Sequence, residues 1–469
     1  MPVDLLPTPR LDFSSGTLLL APLPRVVLRK VFDPLSWVWD ARVGAWRIDA
    51  IDYRTVRERL TARRLACDDT VPRWHAVRWP KVELHSPRTE QQQAVAAWQA
   101  TRRGCVVMPT GTGKTEVALT IMREAAVATL VVAPVRDLMY QWHRRILAGL
   151  GYDAGVIGDN IHRVRPVSVT TYDSACIHME RLGDQFGLIV FDECHHLPGQ
   201  ARRDAARMSA APARLGLTAT LQRADGRHTD LIELIGPTVY EVPIAEARGK
   251  TLADYEVIRI PVHLLPDEQN HYDTLSSQVR RYMMERLKTE PTFRWEDLCA
   301  ETGKTPAARR AMRAYFAKKA IEDRAEEKLR VLEDLFRLHA GSPTIVFAGS
   351  NAMARDVSRR FLIPCLLSHC GKRERLEVLS GLEAGTYPAL VANQVLDEGV
   401  DLPACKVAVV IGGMASTKQA KQRLGRILRK SGNARATLYE IVCDDTSEAI
   451  RSRQRRKNDA YQGTRHRRL

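Results

Sequence analysis

Residues 108–115 read Met-Pro-Thr-Gly-Thr-Gly-Lys-Thr, and residues 189–196 read Ile-Val-Phe-Asp-Glu-Cys-His-His. The first stretch sits between an apolar run, Cys105-Val-Val-Met108, and a helical pattern from Lys114 to about Glu124. A loop in that place, with Gly111 and Gly113 in it, lets backbone N–H groups come close to phosphate oxygens. Lys114 can reach β- and γ-phosphates, the Thr115 hydroxyl can bind Mg²⁺, and the helix N-terminus adds favourable dipole charge. Pro109, Thr110, Gly111, Thr112, Gly113, Lys114 and Thr115 are therefore the expected nucleotide cradle, with Thr115 also a metal ligand. The strict pattern has glycine at position 108, and methionine at this strand end is a mild departure. Gly303-Lys304-Thr305 repeats the last three letters but follows no apolar strand, so it reads as a chance match in a polar loop.

The second stretch is a strand, Leu188–Phe191, that ends in two carboxylates. At the C-terminal end of a parallel strand such groups sit beside a phosphate loop. Asp192 is expected to hold Mg²⁺ and Glu193 to polarise the attacking water. Cys194, His195 and His196 invite a zinc reading, but adjacent side chains cannot easily share one metal. One of the histidines is expected instead to couple the nucleotide site to a neighbouring segment. Phosphoryl transfer also uses arginine to neutralise developing charge. Gln422-Arg-Leu-Gly-Arg426-Ile-Leu-Arg429 supplies it, because Gln422, Arg426 and Arg429 share one helix face.

The chain has 469 residues, which points to roughly two or three domains rather than one core. Its formal net charge is +16, an excess that attracts phosphate backbones. The nine cysteines are scattered, with no CxxC pair, as in a reducing compartment. No apolar run approaches the ~18–20 residues that span a bilayer, and no signal-peptide layout opens the chain. The expectation is a cytoplasmic protein with no membrane contact. The densest basic spot is the tail Arg451–Lys457, which suits a solubilising tail and a nucleic-acid arm equally well.

Short apolar runs alternate with helical segments at Cys105–Met108, Thr129–Ala133, Val167–Thr170, Leu188–Phe191 and Leu215–Leu217. The alternation resumes at Thr344–Phe347, Leu390–Ala392, Val407–Ile411 and Leu438–Val442. This predicts two α/β lobes built on parallel sheets. A polar helical stretch separates them, and a small α/β unit carrying Trp37, Trp39 and Trp46 precedes them.

Taken in order, these motifs resemble those of superfamily 2 helicases. Motif I is Gly111–Thr115, motif II Asp192–His195, motif III Thr218-Ala219-Thr220, motif IV Ile345–Phe347, motif V Gly399-Val-Asp401 and motif VI Gln422–Arg429. More narrowly the chain is similar to XPB-type DNA helicases, especially short microbial forms. Leu217–Leu221, Asp230–Pro237, Phe361–Pro364, Gln394–Gly399 and Gln422–Arg429 carry that likeness. The resemblance implies two RecA-like parallel-sheet lobes, a small N-terminal α/β module and a helical thumb-like insertion. The corresponding boundaries are 1–78 for a damage-recognition-like module, 79–262 for the ATP-binding lobe, 263–322 for the insertion, and 323–469 for the second lobe with its basic tail. It also implies that Arg88 and Gln91 read adenine, and that Gly399, Asp401 and Gln422 contact the nucleotide. ATP and Mg²⁺ follow as cofactors and DNA as partner, with a partner nuclease or repair factor possible. The family's Arg-Glu-Asp element, credited with helping to separate strands, reads Arg223-Ala224-Asp225 here.

The expected activity is an ATP-dependent DNA helicase or translocase moving 3′ to 5′ in repair or transcription-linked opening. In the expected cycle the two lobes close on ATP, Lys114, Thr115 and Asp192 from one and Arg426 and Arg429 from the other. Contacts to DNA, mostly to phosphates, are expected from Pro134–Arg136, Thr170-Thr171 and the motif IV–V loops. The N-terminal tryptophans are expected in a small core, with stacking on unpaired bases as the other reading. The main rival is a duplex translocase that separates strands little, which Ala224 favours. A non-catalytic scaffold and an RNA-directed motor are further alternatives.

Overall fold

The computed structural model describes residues 8–221, 226–243, 246, 255–367, 369–393, 405–412, 436–455 and 465–466. It divides into two compact units, Met1–Pro243 and Ile244–Leu469. Gly399, Asp401, Gln422, Arg426 and Arg429 lie outside the described residues, as do Arg223–Asp225.

The first unit opens with a five-stranded sheet of β1 (Arg10–Ser14), β2 (Thr17–Ala21), β3 (Val38–Asp40), β4 (Ala45–Asp49) and β5 (Asp68–Asp69), in the order β3-β4-β2-β1-β5. Two helices, α1 (Arg25–Phe32) and α2 (Tyr53–Ala62), complete this module. Period-2 alternation buries Leu18 and Leu20 of β2 against Leu11, Phe32 and Val56. The tight β1–β2 turn needs Gly16 twice over. Its φ is +73°, and a Cβ there would lie 2.5 Å from Met208 Cγ of the larger sheet's layer. The module is therefore seated against that layer, with Arg207–Asp49 at 2.7 Å and Arg73–Asp184 as ion pairs across the contact.

The larger sheet of this unit holds β6 (Arg103–Val107), β7 (Thr129–Ala133), β8 (Gly155–Gly158), β9 (Ile161–Arg163), β10 (Val167–Thr171), β11 (Leu188–Asp192), β12 (Ala213–Thr218) and β13 (Thr238–Glu241). Their order is β13-β6-β12-β11-β7-β10-β8-β9, and every pairing is parallel except β8 with β9. Helices α3 (Thr89–Thr101), α4 (Lys114–Ala125), α5 (Arg136–Leu150) and α6 (Tyr172–Leu182) flank it. Alternate residues of one strand feed opposite faces. Val131 and Val190 join one core with Val117, Trp98 and Trp142, while Leu130, Ile189 and Phe191 join the other with Tyr172 and Met179. Burial on both faces is why these strands read as continuous apolar runs.

The topology gathers the chemistry. Strands β6, β12 and β11 are neighbours, with Val107 opposite Thr218 and Asp192 opposite Leu217. The segments that follow them, Met108–Thr115, Asp192–Glu193 and Thr218–Thr220, thus emerge side by side at the carboxyl edge of the sheet.

The second unit carries a parallel sheet of β14 (Tyr255–Val262), β15 (Thr344–Ala348), β16 (Cys365–Leu366), β17 (Ala389–Ala392), β18 (Val407–Ile411), β19 (Ala436–Cys443) and β20 (Arg465–His466), in the order β16-β17-β15-β18-β19-β14-β20. The first lobe ends before residue 262, the boundary expected from sequence. β14 pairs with β19 from Tyr255↔Ala436 to Val262↔Cys443, so residues 255–262 belong to the second sheet. An apolar strand shows its own burial in sequence, but which sheet it joins is a long-range pairing that periodicity does not carry.

Between β14 and β15, helices Pro266–Thr289, Trp295–Glu301 and Pro306–Arg324 pack around Phe293, Leu298, Ala308, Ala311 and Met312. A buried polar network ties their base to the second sheet's layer. Tyr272 Oη donates to Glu322 Oε1 at 2.9 Å, and Lys328 Nζ donates to Glu448 Oε2 at 2.7 Å with both side chains essentially inaccessible. Gly303-Lys304-Thr305 falls between two of these helices. There Thr305 caps the second by accepting from Ala308 N at 3.1 Å, a role unrelated to phosphate.

Candidate active site

The loop after β6 passes through the left-handed region at Gly111 (φ +86°) and Gly113 (φ +87°). Gly113 is also crowded, since a Cβ there would lie 2.2 Å from Gln91 Nε2. Thr112 is buried and its hydroxyl donates to Pro109 O at 2.7 Å, which closes the loop on itself. From behind, Gln91 Nε2 donates to Thr112 O at 3.1 Å and the Arg88 guanidinium donates to the same carbonyl. Gln91 Oε1 accepts Arg88 N–H at 2.8 Å, so both ends of the amide are engaged and its orientation is set. Besides the adenine contact expected of them, Arg88 and Gln91 brace the loop.

Lys114 begins α4 and curls back along the loop, donating from Nζ to Met108 O at 2.9 Å. Thr115 follows it in the first turn. The Thr110 hydroxyl is buried without a partner among the described residues, a donor left for an incoming ligand.

Across the sheet edge, Asp192 ends β11. Its Oδ1 accepts Glu193 N–H at 3.0 Å and its Oδ2 accepts the Trp142 indole N–H at 2.8 Å. Burial pushes the Asp192 carboxyl up to about 6, and the charge of Glu193 adds to this. The Trp142 bond and the Lys114 charge pull it back only in part. A carboxylate whose charge the protein leaves partly uncompensated suits a hard divalent cation, and a hydroxyl plus a carboxylate oxygen is the donor set Mg²⁺ takes. Thr115 and Asp192 therefore fit the metal expected of them.

Glu193 sits at φ +46°, a left-handed position that costs a non-glycine residue about 1–2 kcal/mol. That turn aims its carboxylate at motif III. Glu193 Oε2 lies 3.3 Å from His195 Nδ1 and 3.5 Å from Thr218 Oγ1. His195 Nδ1 is 2.9 Å from Thr218 Oγ1, and Thr218 donates its one proton to Thr220 O at 2.8 Å. A hydroxyl with its proton already placed can only accept, so Nδ1 carries the hydrogen in this pair. His195 is thus the histidine expected to couple the site to its neighbour.

Trp142 and Tyr172 were not anticipated. Tyr172 Oη donates to Asp192 O at 3.0 Å, and both rings are buried. Neither stands in a motif. The only signal was the apolar face of α5, which shows a tryptophan as core and says nothing of where its N–H points. One expectation is overturned. Thr170 was to touch a DNA strand, but it is 1% exposed and its hydroxyl donates to Ile157 O at 2.7 Å. Thr171 caps α6, while Arg136 is exposed and paired with Asp159 at 2.7 Å. Of the N-terminal tryptophans, Trp46 is core, Trp37 packs at the core's margin, and Trp39 is half-exposed.

A phosphate loop, a carboxylate pair and a threonine relay on adjacent strands define the motor lobe of a superfamily 2 helicase. Three family descriptions match along the chain: the Xeroderma pigmentosum group B helicase damage recognition domain over residues 11–71, the type III restriction enzyme res subunit over 84–223, and the helicase conserved C-terminal domain over 327–431. The chain is similar to a DNA 3'-5' translocase XPB2 of Sulfurisphaera tokodaii, 37% identical over 424 residues that cover 89% of this chain and 95% of that protein. It is 30% identical to a DNA 3'-5' helicase XPB of Kineococcus radiotolerans over 80% of this chain and 63% of that one. The Hef helicase domain of Pyrococcus furiosus shares the fold with a TM-score of 0.54 at 16% identity, covering 78% of this chain and 98% of that one. The chain belongs to the XPB-type helicase family.

Proposed function

We propose that this protein is an ATP-dependent DNA translocase and helicase that moves 3′ to 5′, in DNA repair or transcription-linked DNA opening. The observation that carries this reading is the convergence of Lys114, Asp192 and Glu193 at one sheet edge, with Glu193 joined through His195 to Thr218. Lys114 is assigned to the β- and γ-phosphates of ATP, and the loop Pro109–Gly113 to their oxygens. Thr115 and Asp192 would hold Mg²⁺, which neutralises phosphate charge when bound. Glu193 orients and polarises the attacking water, and the Glu193–His195–Thr218 contact relays the state of that site to motif III. Arg426 and Arg429 are assigned to the developing negative charge, and Gly399, Asp401 and Gln422 to further nucleotide contacts. The net charge of +16 suits a nucleic-acid track. The proposed setting is the cytoplasm, with a repair factor or nuclease as partner. Among the described residues no helix is long and apolar enough to cross a membrane.

The test is ATPase rate with single-stranded, duplex and forked DNA at two salt concentrations, in the parent, Lys114→Ala and Glu193→Gln. DNA-stimulated turnover that disappears in both variants supports the reading, and turnover equal to the parent's in either refutes it. A second reading, duplex translocation with little strand separation, is favoured by Ala224 in Arg223-Ala224-Asp225. Triplex displacement without displacement of a paired strand would select it.

A further inference from the structure

The peptide that joins Asp192 to Glu193 is held at both of its poles. Its N–H donates to Asp192 Oδ1 at 3.0 Å, and its carbonyl accepts the Tyr172 hydroxyl at 3.0 Å. This one peptide plane fixes how the two carboxylates stand to each other. It also leads the backbone into the left-handed turn at Glu193, with φ +46° and ψ +53°. A residue with a Cβ leaves such a turn readily, because the ordinary regions of the backbone are lower in energy. Rotating the plane out of it would draw the carbonyl away from Tyr172 and the N–H away from Asp192. Tyr172 is fully buried, so solvent does not readily take the place of its hydroxyl at that carbonyl. The cost of stranding the carbonyl is comparable with the strain of the turn, so the bonds hold the strained direction in place.

Tyr172 is placed for this by its own element. Thr171 caps α6 by accepting Ser174 N–H at 3.2 Å, which starts the helix at Tyr172. β7 lies between β10 and β11 in the sheet, so a side chain from the end of β10 must cross one strand to reach the end of β11. A phenol spans that distance with only two side-chain torsions to fix. Its ring stacks on Phe191, with centroids 6.2 Å apart and planes 19° from parallel. Burial above all, then Cys194 and the two carboxylates, pushes the hydroxyl well above its ordinary value of 10, so it stays protonated and donates. Phenylalanine would serve the packing equally well. We propose that Tyr172 is a positioning residue for hydrolysis: its hydroxyl pins the Asp192–Glu193 peptide and thereby aims the Glu193 carboxylate at the attacking water. This rests on the assignment of Glu193 to that water. The task differs from that of Trp142, which bonds the side chain of Asp192 and not the backbone beside Glu193. The aim is set before a nucleotide arrives, so its loss belongs to turnover and not to binding.

The experiment measures ATPase of the full chain at saturating DNA in the parent, Tyr172→Phe and Tyr172→Leu. Binding of a non-hydrolysable ATP analogue and the melting temperature are measured beside it. Tyr172→Phe keeps the ring and removes one oxygen. Its kcat is expected to fall about 10–100-fold, the scale of a small misplacement at a reacting centre. KM for ATP, the Mg²⁺ requirement and analogue affinity should stay within about twofold of the parent's. Tyr172→Leu should lose at least as much turnover and melt lower, because the ring's packing goes too. A kcat kept in Tyr172→Phe overturns the proposal whatever Tyr172→Leu does, since packing then accounts for the residue. It is equally overturned if Tyr172→Phe loses analogue binding or fails to fold, because the hydroxyl then serves the whole lobe and not the direction of one carboxylate. Turnover in Glu193→Gln equal to the parent's would instead strike the proposed function. An inactive Glu193→Gln beside a fully active Tyr172→Phe strikes this inference alone, so the two failures are separately visible.

Discussion

The Trp142 indole N–H donates to Asp192 Oδ2 at 2.8 Å, so an aromatic residue from the core face of α5 orients the carboxylate assigned to the metal. Outer partners of this kind fix how a ligand meets its cation. Trp142→Phe keeps most of the ring's packing and removes the donor. The Mg²⁺ concentration for half-maximal ATPase is expected to rise about 10–100-fold. A Mg²⁺ titration of the variant checks it, and an unchanged requirement would show that the bond is structural only.

His195 stands between Glu193 and Thr218, with its Nδ1 3.3 Å from Glu193 Oε2 and 2.9 Å from Thr218 Oγ1. His195→Ala cuts the relay while leaving Lys114, Asp192 and Glu193 in place. Stimulation of hydrolysis by DNA should fall by about 5–150-fold, the range of ordinary coupling energies. DNA-free hydrolysis should persist, and if both rates drop together His195 serves the chemistry itself.

Much of this was legible beforehand, for identifiable reasons. Strands β7 and β18 match their sequence readings at both ends because every residue in them is buried, which leaves an uninterrupted apolar run. The phosphate loop and the carboxylate pair were legible because glycines, a lysine and acids are forced by short-range chemistry. What was missed is long-range. The partner sheet of β14, the direction of the Trp142 N–H and the burial of Thr170 each depend on contacts between residues distant in sequence. Sequence position alone sets Thr170 on a DNA track, and only the packed sheet shows its hydroxyl already given to Ile157.

Gly113 and Gly303 form an internal control for the two Gly-Lys-Thr runs. At Gly113 the φ of +87° and the 2.2 Å approach to Gln91 Nε2 leave no room for a methyl group, whereas at Gly303 nothing lies within 4 Å. Gly113→Ala should pay the left-handed cost of about 1–2 kcal/mol and displace the Gln91 brace. The rise in melting temperature that ATP produces should vanish in Gly113→Ala and remain in Gly303→Ala. Equal responses in the two variants would contradict this.

In the second unit the Lys328–Glu448 pair is fully buried, and Glu448 also accepts Cys443 N–H at 2.9 Å. Removing one partner strands a charge. Lys328→Met should therefore cost about 3–5 kcal/mol in urea unfolding. The double variant Lys328→Met with Glu448→Leu should recover most of that, keeping a deficit of about 1–3 kcal/mol for the orphaned Cys443 N–H. A double variant as unstable as the single one would mean that the pair itself, and not the avoidance of a lone charge, holds this region.

Glu322 gives the same region a pH dependence with a definite sign. Burial alone would raise its carboxyl, but the Arg451 charge and hydrogen bonds from Ser447 and Tyr272 outweigh it and hold the group below its ordinary value of 4.5. A depressed acid contributes stability that is present above the unfolded value and lost as pH falls through the folded one. The parent should thus lose stability progressively below about pH 4.5. Glu322→Gln, still able to bond Tyr272 and Ser447 but not to pair with Arg451, should be less stable than the parent at neutral pH. The gap between them should narrow as acid protonates Glu322. Urea midpoints measured from neutral pH downward decide the matter, because a gap that stays constant or widens in acid is incompatible with a carboxylate stabilised by Arg451.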